Sequence, residues 1–188
     1  MKNALILGGS RGIGRALYDM LSSTPEEWQT IALGHADYNI LAPSNRAVFD
    51  LRQTALDLGG YDVFVYCAGD LTVTGLDAFR FAHEFYNIIT SHGGMILRNG
   101  CKIVVVSSVA VANPAKLNPD YAAAKAALEH YAMTIASSQN AIRHGWTVQV
   151  RRFDLVATDM LKCIPADLKA GRTIISATDA AKELYELL

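Results

Sequence analysis

The chain has 188 residues, of which 51% are hydrophobic, and a formal net charge of −1. That length suits one domain with a core of its own, the apolar share excludes a disordered chain, and the near-neutral charge excludes a broad electrostatic grip on nucleic acid. No apolar run approaches the length needed to cross a bilayer, and Met1-Lys2-Asn3 leaves no room for a signal peptide, so cytoplasmic residence is the expectation.

The first apolar run, Ala4–Leu7, reads as a short strand and passes into glycines at positions 8, 12 and 14 before a helical pattern begins at Arg15. Such a loop is a phosphate cradle in outline. Glycine lets the chain turn sharply off a strand and lets backbone approach an anion at the start of the next helix. In Arg15–Ser22, Ala16, Leu17, Met20 and Leu21 share one face. Thr24-Pro25-Glu26-Glu27 is a loop before a second strand, Thr30–Leu33. Asn45–Leu58 is a helix with Val48, Leu51, Ala55 and Leu58 on one side, and Val63–Tyr66 is the third strand. Phe79–Leu97 reads as a long helix and Ile103–Val106 as the fourth strand. Asn113-Pro114 and Asn118-Pro119 mark an irregular segment before a second long helix, Tyr121–Ile142. Thr147–Val150 is the fifth strand and Thr178–Leu188 the last helix. Short, unalternating strands between helices predict a single α/β domain: a doubly wound parallel sheet, a Rossmann fold of about six strands. Ligands of such sheets bind beyond the carboxyl ends of the strands, where Gly8–Gly14, Cys67–Gly69, Ser107–Ser108 and Phe153–Thr158 all fall. Three cysteines, Cys67, Cys101 and Cys163, lack metal-ligand spacing and read as packing residues; no metal is expected.

Tyr121 and Lys125 stand four residues apart in an alanine-rich helical segment and so leave one face. An ammonium beside a phenol favours the phenolate, which would bring the tyrosine toward the range useful for proton transfer. Ser108, at the end of the fourth strand, has a hydroxyl to offer a substrate oxygen that gains charge. Taken singly, the pair reads as a solvated surface pair and the serine as a turn residue; together they align with the glycine loop.

On these residues the chain resembles the short-chain dehydrogenase/reductase family. Gly8, Gly12 and Gly14 match its glycine-rich motif and Cys67-Ala68-Gly69 resembles its Asn-Ala-Gly. Ser108, thirteen residues before Tyr121, and Lys125 match its catalytic serine and Tyr-x-x-x-Lys, and Leu155-Val156-Ala157-Thr158 resembles its nicotinamide-carboxamide segment. The resemblance implies an oxidoreductase that passes a hydride between NAD(P)H and a ketone, aldehyde or secondary alcohol. Tyr121 would move the proton, Ser108 would steady the substrate oxygen, and Lys125 would hold the nicotinamide ribose and depress the tyrosine pKa. Gly8, Ser10, Arg11, Gly12, Ile13 and Gly14 would cradle the pyrophosphate, with Cys67, Ala68, Gly69, Val156 and Thr158 as further cofactor contacts. The second strand ends in Leu33-Gly34-His35 rather than a carboxylate, which favours NADP over NAD, with Arg11 and His35 facing the extra phosphate; the competing reading of Arg11 is a solvated side chain. Asn39 stands where the family has an aspartate near adenine, with Asp37 as the rival candidate.

Several positions depart from the family pattern. Leu7 replaces a threonine, Cys67 the first Asn of Asn-Ala-Gly, and the helical Asn that completes the catalytic set has no counterpart, since Arg80 falls near its place and Asn87 too late. Phe153-Asp154 replaces Pro-Gly, which would set a bulky ring near the reacting ring. Asp154 there would favour the oxidised, cationic nicotinamide; a solvent-facing carboxylate is the alternative. A seventh strand has no counterpart before Leu188. A homodimer through the two long helices is expected, with Ala122, Ala126 and Ala127 as a small face; the alternative for these alanines is packing on the sheet. Met160–Ser176 would be a brief substrate-side flap. The rival functions are a non-catalytic dinucleotide sensor or scaffold and, more distantly, a nucleotide-sugar epimerase; neither a nucleic-acid nor a membrane partner is expected.

Overall fold

The computed structural model describes residues 1–39, 45–113 and 118–188. Five parallel strands form one sheet in the order β2-β1-β3-β4-β5: β1 Lys2–Leu7, β2 Trp28–Leu33, β3 Tyr61–Tyr66, β4 Leu97–Ser108 and β5 Thr147–Phe153. All five expected strands are present. A separate parallel pair, β6 Leu155–Ala157 with β7 Ile174–Ser176, closes the expected flap on itself.

Both faces of the three central strands, β1, β3 and β4, are covered, which explains their unalternating sequences, whereas β5 at the edge is largely exposed. In β1, Ala4 and Ile6 enter one core cluster while Leu5 and Leu7 enter the other. The same alternation places Val63 and Val65 opposite Phe64 and Tyr66 in β3, and Val104 and Val106 opposite Ile103 and Val105 in β4. On the first face, Leu17 and Leu21 of α1 (Gly12–Ser22) meet Ala180, Ala181 and Leu184 of α8 (Ala177–Tyr185). On the second lie α2 (Asn45–Leu58), α3 (Leu76–Ile96) and α4 (Pro119–Ala136). Ile40, Pro114 and the side chain of Val48 lie outside the described residues.

The expected helix Tyr121–Ile142 is two helices. Chain direction changes at Ser137-Ser138, where the Ser138 hydroxyl caps α5 (Gln139–His144) by accepting from the Ala141 N–H at 3.2 Å. The first long helix runs three residues earlier at its start than expected, and α4 begins at Pro119, whose fixed φ and missing N–H suit a first helical position. Of the three alanines expected to form a small outer face, Ala122 is buried and Ala127 packs against the core; Ala126 alone of them is exposed. The chain leaves β1 for β2 on one side and crosses to β3 on the other, so the loops after β1 and β3 flank the point where strand order reverses.

Candidate active site

The glycine loop is built for close approach. Gly8 has φ of 86°, open to glycine but not to most side chains, and an added Cβ would lie 2.7 Å from the Ala68 nitrogen. At Gly14 the added atom would lie 2.3 Å from the Gly8 carbonyl oxygen. The loops after β1 and β3 therefore touch backbone to backbone, and the Cys67 N–H donates to the Leu7 carbonyl at 2.8 Å. Main chain does the tying that the absent threonine and asparagine side chains would have done. Cys67 itself is turned toward Gly14, its Cβ 3.2 Å from where a Gly14 Cβ would sit, and burial pushes its thiol up to about 12 against the pull of Lys125. It is a packing thiol at neutral pH.

Helix α1 starts at Gly12 with no side-chain cap from Arg11, so its first-turn N–H groups, which include those of Ile13 and Gly14, have no side-chain cap. The glycines let the two loops close on each other at the start of a helix, whose N-terminal donors are the kind of group that would hold a dinucleotide pyrophosphate. Thr158 borders it, its Cγ2 3.2 Å from a Cβ built on Gly12, so the segment after β6 and the glycine loop do meet. Ser10 packs against Gly34, where an added Cβ would lie 2.6 Å from its Oγ. His35 is exposed beside them, and the Asp37 carboxylate accepts from the Gly34 N–H at 2.9 Å, closing the turn after β2. Asn39 is half-buried next to Tyr38, whose hydroxyl donates to buried Glu84 at 2.5 Å. Val156 is buried in the sheet-side core.

Arg11 reaches across from the glycine loop to Asp70, one residue past Gly69, at 3.4 Å. Burial raises the Asp70 carboxyl, but its bonds to Thr72 and the Arg11 charge outweigh that and hold it below the usual range. Arg11 is two-thirds exposed, so the bridge is weak and can open.

Tyr121, Lys125 and Ser108 come together at the carboxyl end of β4. The Asn118 side chain caps α4, accepting from the Asp120 N–H at 3.0 Å and the Tyr121 N–H at 3.4 Å, and its amide donates to the Leu71 carbonyl at 3.1 Å. Ser108 ends β4 and accepts from the Ala110 N–H at 3.1 Å, which fixes its hydroxyl at the start of a short 3-10 turn, Val109–Val111. Lys125 is buried, and its Nζ donates to the Val106 carbonyl at 2.9 Å and the Ala68 carbonyl at 3.3 Å. Gly69 leaves it room: an added Cβ would stand 3.0 Å from that nitrogen.

The electrostatics correct one expectation. Burial pushes the Tyr121 phenol up to about 12, opposed by a hydrogen bond with Ser108. The ammonium, 5.8 Å from the ring centroid and turned to two carbonyls, does not bring the phenol toward neutrality. Burial also draws Lys125 down to about 8, with Cys67 and Glu129 pulling back. At neutral pH the phenol keeps its proton, and the lysine is a cation close to its titration point.

Phe153 also departs from expectation: its ring is buried with Val106, Val156 and Ala180, away from the crevice. Asp154 is exposed, as the solvent-facing alternative has it, and is also paired with Arg172, which donates to the Leu168 carbonyl at 3.3 Å and so ties the turn after β5 to α7 (Ala166–Lys169). Arg80 pairs with Asp77 at 3.2 Å, and Asn87 bonds Glu84 and Ser91; both belong to α3's own network.

The space beside Tyr121 and Lys125, lined also by Gly69, Asp70 and Phe81, holds about 10 Å³. A roomier cleft, about 860 Å³ and lined by Gly12 and Thr158 themselves, lies between α1 and the segment from α6 (Asp159–Lys162) to the start of α8. Among the described residues no group of three or more His, Cys, Asp or Glu gathers to hold a metal, and no helix is long and apolar enough to cross a membrane. Sequence reasoning missed Asp70, and it missed Glu129, which bonds Ser107 at 2.6 Å; one helical turn past Lys125, Glu129 was open to the same spacing argument that found the lysine.

The family profile described as short chain dehydrogenase matches residues 85–169. No curated protein matches the sequence. Among solved structures, a short chain dehydrogenase from Burkholderia cenocepacia J2315 in complex with NADP is 22% identical with a TM-score of 0.77, covering 97% of this chain and 88% of its own. The 3-alpha-hydroxysteroid dehydrogenase of Pseudomonas sp. B-0831, complexed with NADH, is 16% identical with a TM-score of 0.78, covering 98% and 89%. The angucycline C-6 ketoreductase LanV, with bound NADP, is 19% identical with a TM-score of 0.76, covering 99% and 88%. The profile spans the helix and strand that carry Ser108, Tyr121 and Lys125, and these solved structures share the fold along nearly the whole length of the chain.

Proposed function

We propose that this protein is an NAD(P)H-dependent carbonyl reductase or alcohol dehydrogenase. The observation that carries this reading is the convergence of one phenol, one buried ammonium and one strand-end hydroxyl beside a glycine-lined anion cradle. Tyr121 is the general acid in the reducing direction: a phenol that holds its proton up to about pH 12 in the free protein arrives at a substrate carbonyl already protonated. Ser108, hydrogen-bonded to Tyr121, steadies the same substrate oxygen as it gains charge. Lys125 holds the ribose hydroxyls, and Gly8, Ser10, Arg11, Gly12, Ile13 and Gly14, with Cys67, Ala68, Gly69, Val156 and Thr158, line the dinucleotide. When bound, a nicotinamide dinucleotide supplies or accepts the hydride.

NADP is the preferred cofactor on this reading. Arg11 is a weakly bridged guanidinium at the mouth of the cradle, free to turn from Asp70 to a phosphate, with His35 exposed nearby and Asn39 set toward adenine. Two of the similar structures above hold NADP and one NADH. A homodimer through α3 and α4 belongs to the same proposal, supported by Ala123, Ala126, His130 and Met133, which stand exposed along one stripe of α4.

The tight space beside Tyr121 favours a second reading, a dinucleotide sensor or scaffold without turnover. One assay separates them: incubation with NADPH or NADH and a panel of ketones, aldehydes and quinones, parent against Tyr121→Phe. Turnover lost with cofactor binding kept supports the enzyme; equal slow oxidation in both supports the sensor.

A further inference from the structure

Three consecutive residues of β4 address three residues of α4 spaced one turn apart. Val106 accepts from Lys125 through its carbonyl, Ser107 donates through its hydroxyl to Glu129 at 2.6 Å, and Ser108 bonds Tyr121. The middle contact is anchored from a third element. Arg152, at the end of β5, grips Glu129 with both nitrogens, Nε to Oε1 at 2.8 Å and Nη2 to Oε2 at 2.6 Å. The Glu129 side chain is 12% exposed and Ser107 is buried, so this is an inward clamp rather than a loose surface pair.

The geometry points to Glu129 as a positioning residue: clamped between Ser107 and Arg152, its carboxylate fixes the register of α4 on β4 and sustains the charge of Lys125 one turn away. The inference rests on the catalytic reading above for its purpose, though not for its test. Burial pushes the Glu129 carboxyl up, but Arg152, Ser107 and Lys125 together outweigh that and hold it ionised. Around Lys125, the titratable and charged groups are Tyr121 and Glu129 on α4, and Cys67 and Asp70 after β3, with Arg152 of β5 behind Glu129 and Arg11 behind Asp70. Of these, Glu129 and Asp70 are anions at neutral pH, Asp70 with Arg11 as its partner, given that burial keeps the Cys67 thiol and the Tyr121 phenol protonated.

The test reads Lys125 directly, by the pH dependence of its 13Cε resonance in the free protein, in the parent and two variants of opposite sign. In Glu129→Gln the titration should fall by about one pH unit, the size expected for losing a partly compensated opposite charge about a helical turn away. In Arg152→Gln, whose side chain is half exposed and whose loss removes a competing cation, it should rise. A role in packing alone would move both variants together or neither. Titrations that are unchanged, or that shift in the same direction, overturn the inference. NADPH affinity against pH in the same three proteins gives a separate answer. If its alkaline fall follows the lysine, the clamp serves the cofactor site; if the parent does not bind NADPH or NADH at all, the catalytic reading fails while the lysine titration still decides the role of Glu129.

Discussion

Lys125→Met should change the way stability depends on pH. The lysine is buried, and its pKa falls from 10.5 to about 8 on folding, chiefly through burial. The unfolded chain thus holds the proton more tightly than the folded one. Below about pH 8 both states are protonated and the folded state carries the whole cost of an enclosed ammonium, about 3 kcal/mol by linkage. Between about pH 8 and 10.5 the folded state gives up its proton first, and the cost lifts. Urea unfolding of parent and variant from pH 6.5 to 10.5 isolates this group, because all other titrations cancel in the difference. The parent should gain on Lys125→Met by about 3 kcal/mol across that range. The loss of two hydrogen bonds, to the Val106 and Ala68 carbonyls, offsets the two curves by a constant without changing the slope between them. A difference that does not vary with pH would refute the reasoning.

Gly14→Ala should lower stability by about 1–3 kcal/mol and remove NADPH binding, because the new Cβ meets the Gly8 carbonyl oxygen, a backbone atom, at 2.3 Å. Gly94→Ala, where nothing stands within 4 Å, is the control and should be neutral or stabilising in thermal unfolding. Arg11→Ala should weaken NADPH binding by about tenfold and leave NADH unchanged, whereas Asp70→Asn, by freeing the guanidinium, should tighten NADPH; fluorescence titration of both cofactors checks the pair. Phe153→Ala should cost about 3–5 kcal/mol in chemical unfolding, since its ring is 5% exposed in the core, and an effect confined to catalysis would contradict that placement.

The central strands β1, β3 and β4 were legible because their residues are apolar on both faces, which two-sided covering demands and few other structures allow. Tyr121, Lys125 and Ser108 were legible through spacing along one helix and one strand. The break at Ser137-Ser138 was not, since the apolar pattern runs through it and only the Ser138 cap ends it. Phe153 was misplaced because its position in the family motif suggested the crevice, while the pairing of Ser108 with Phe153 at the end of the β4–β5 ladder turns its ring into the core. The raised Tyr121 pKa was illegible in principle: the spacing gives the neighbouring charge, and only the fold gives the burial that outweighs it. Asp70 and Arg152 act across loops and strands that sequence separation hides.

A crystal structure with NADPH bound tests the central claim most directly. The account predicts the nicotinamide ring against Tyr121 and Ser108, with the ribose hydroxyls on Lys125. A ring resting instead in the cleft between α1 and the α6–α8 segment, out of reach of all three, would contradict it.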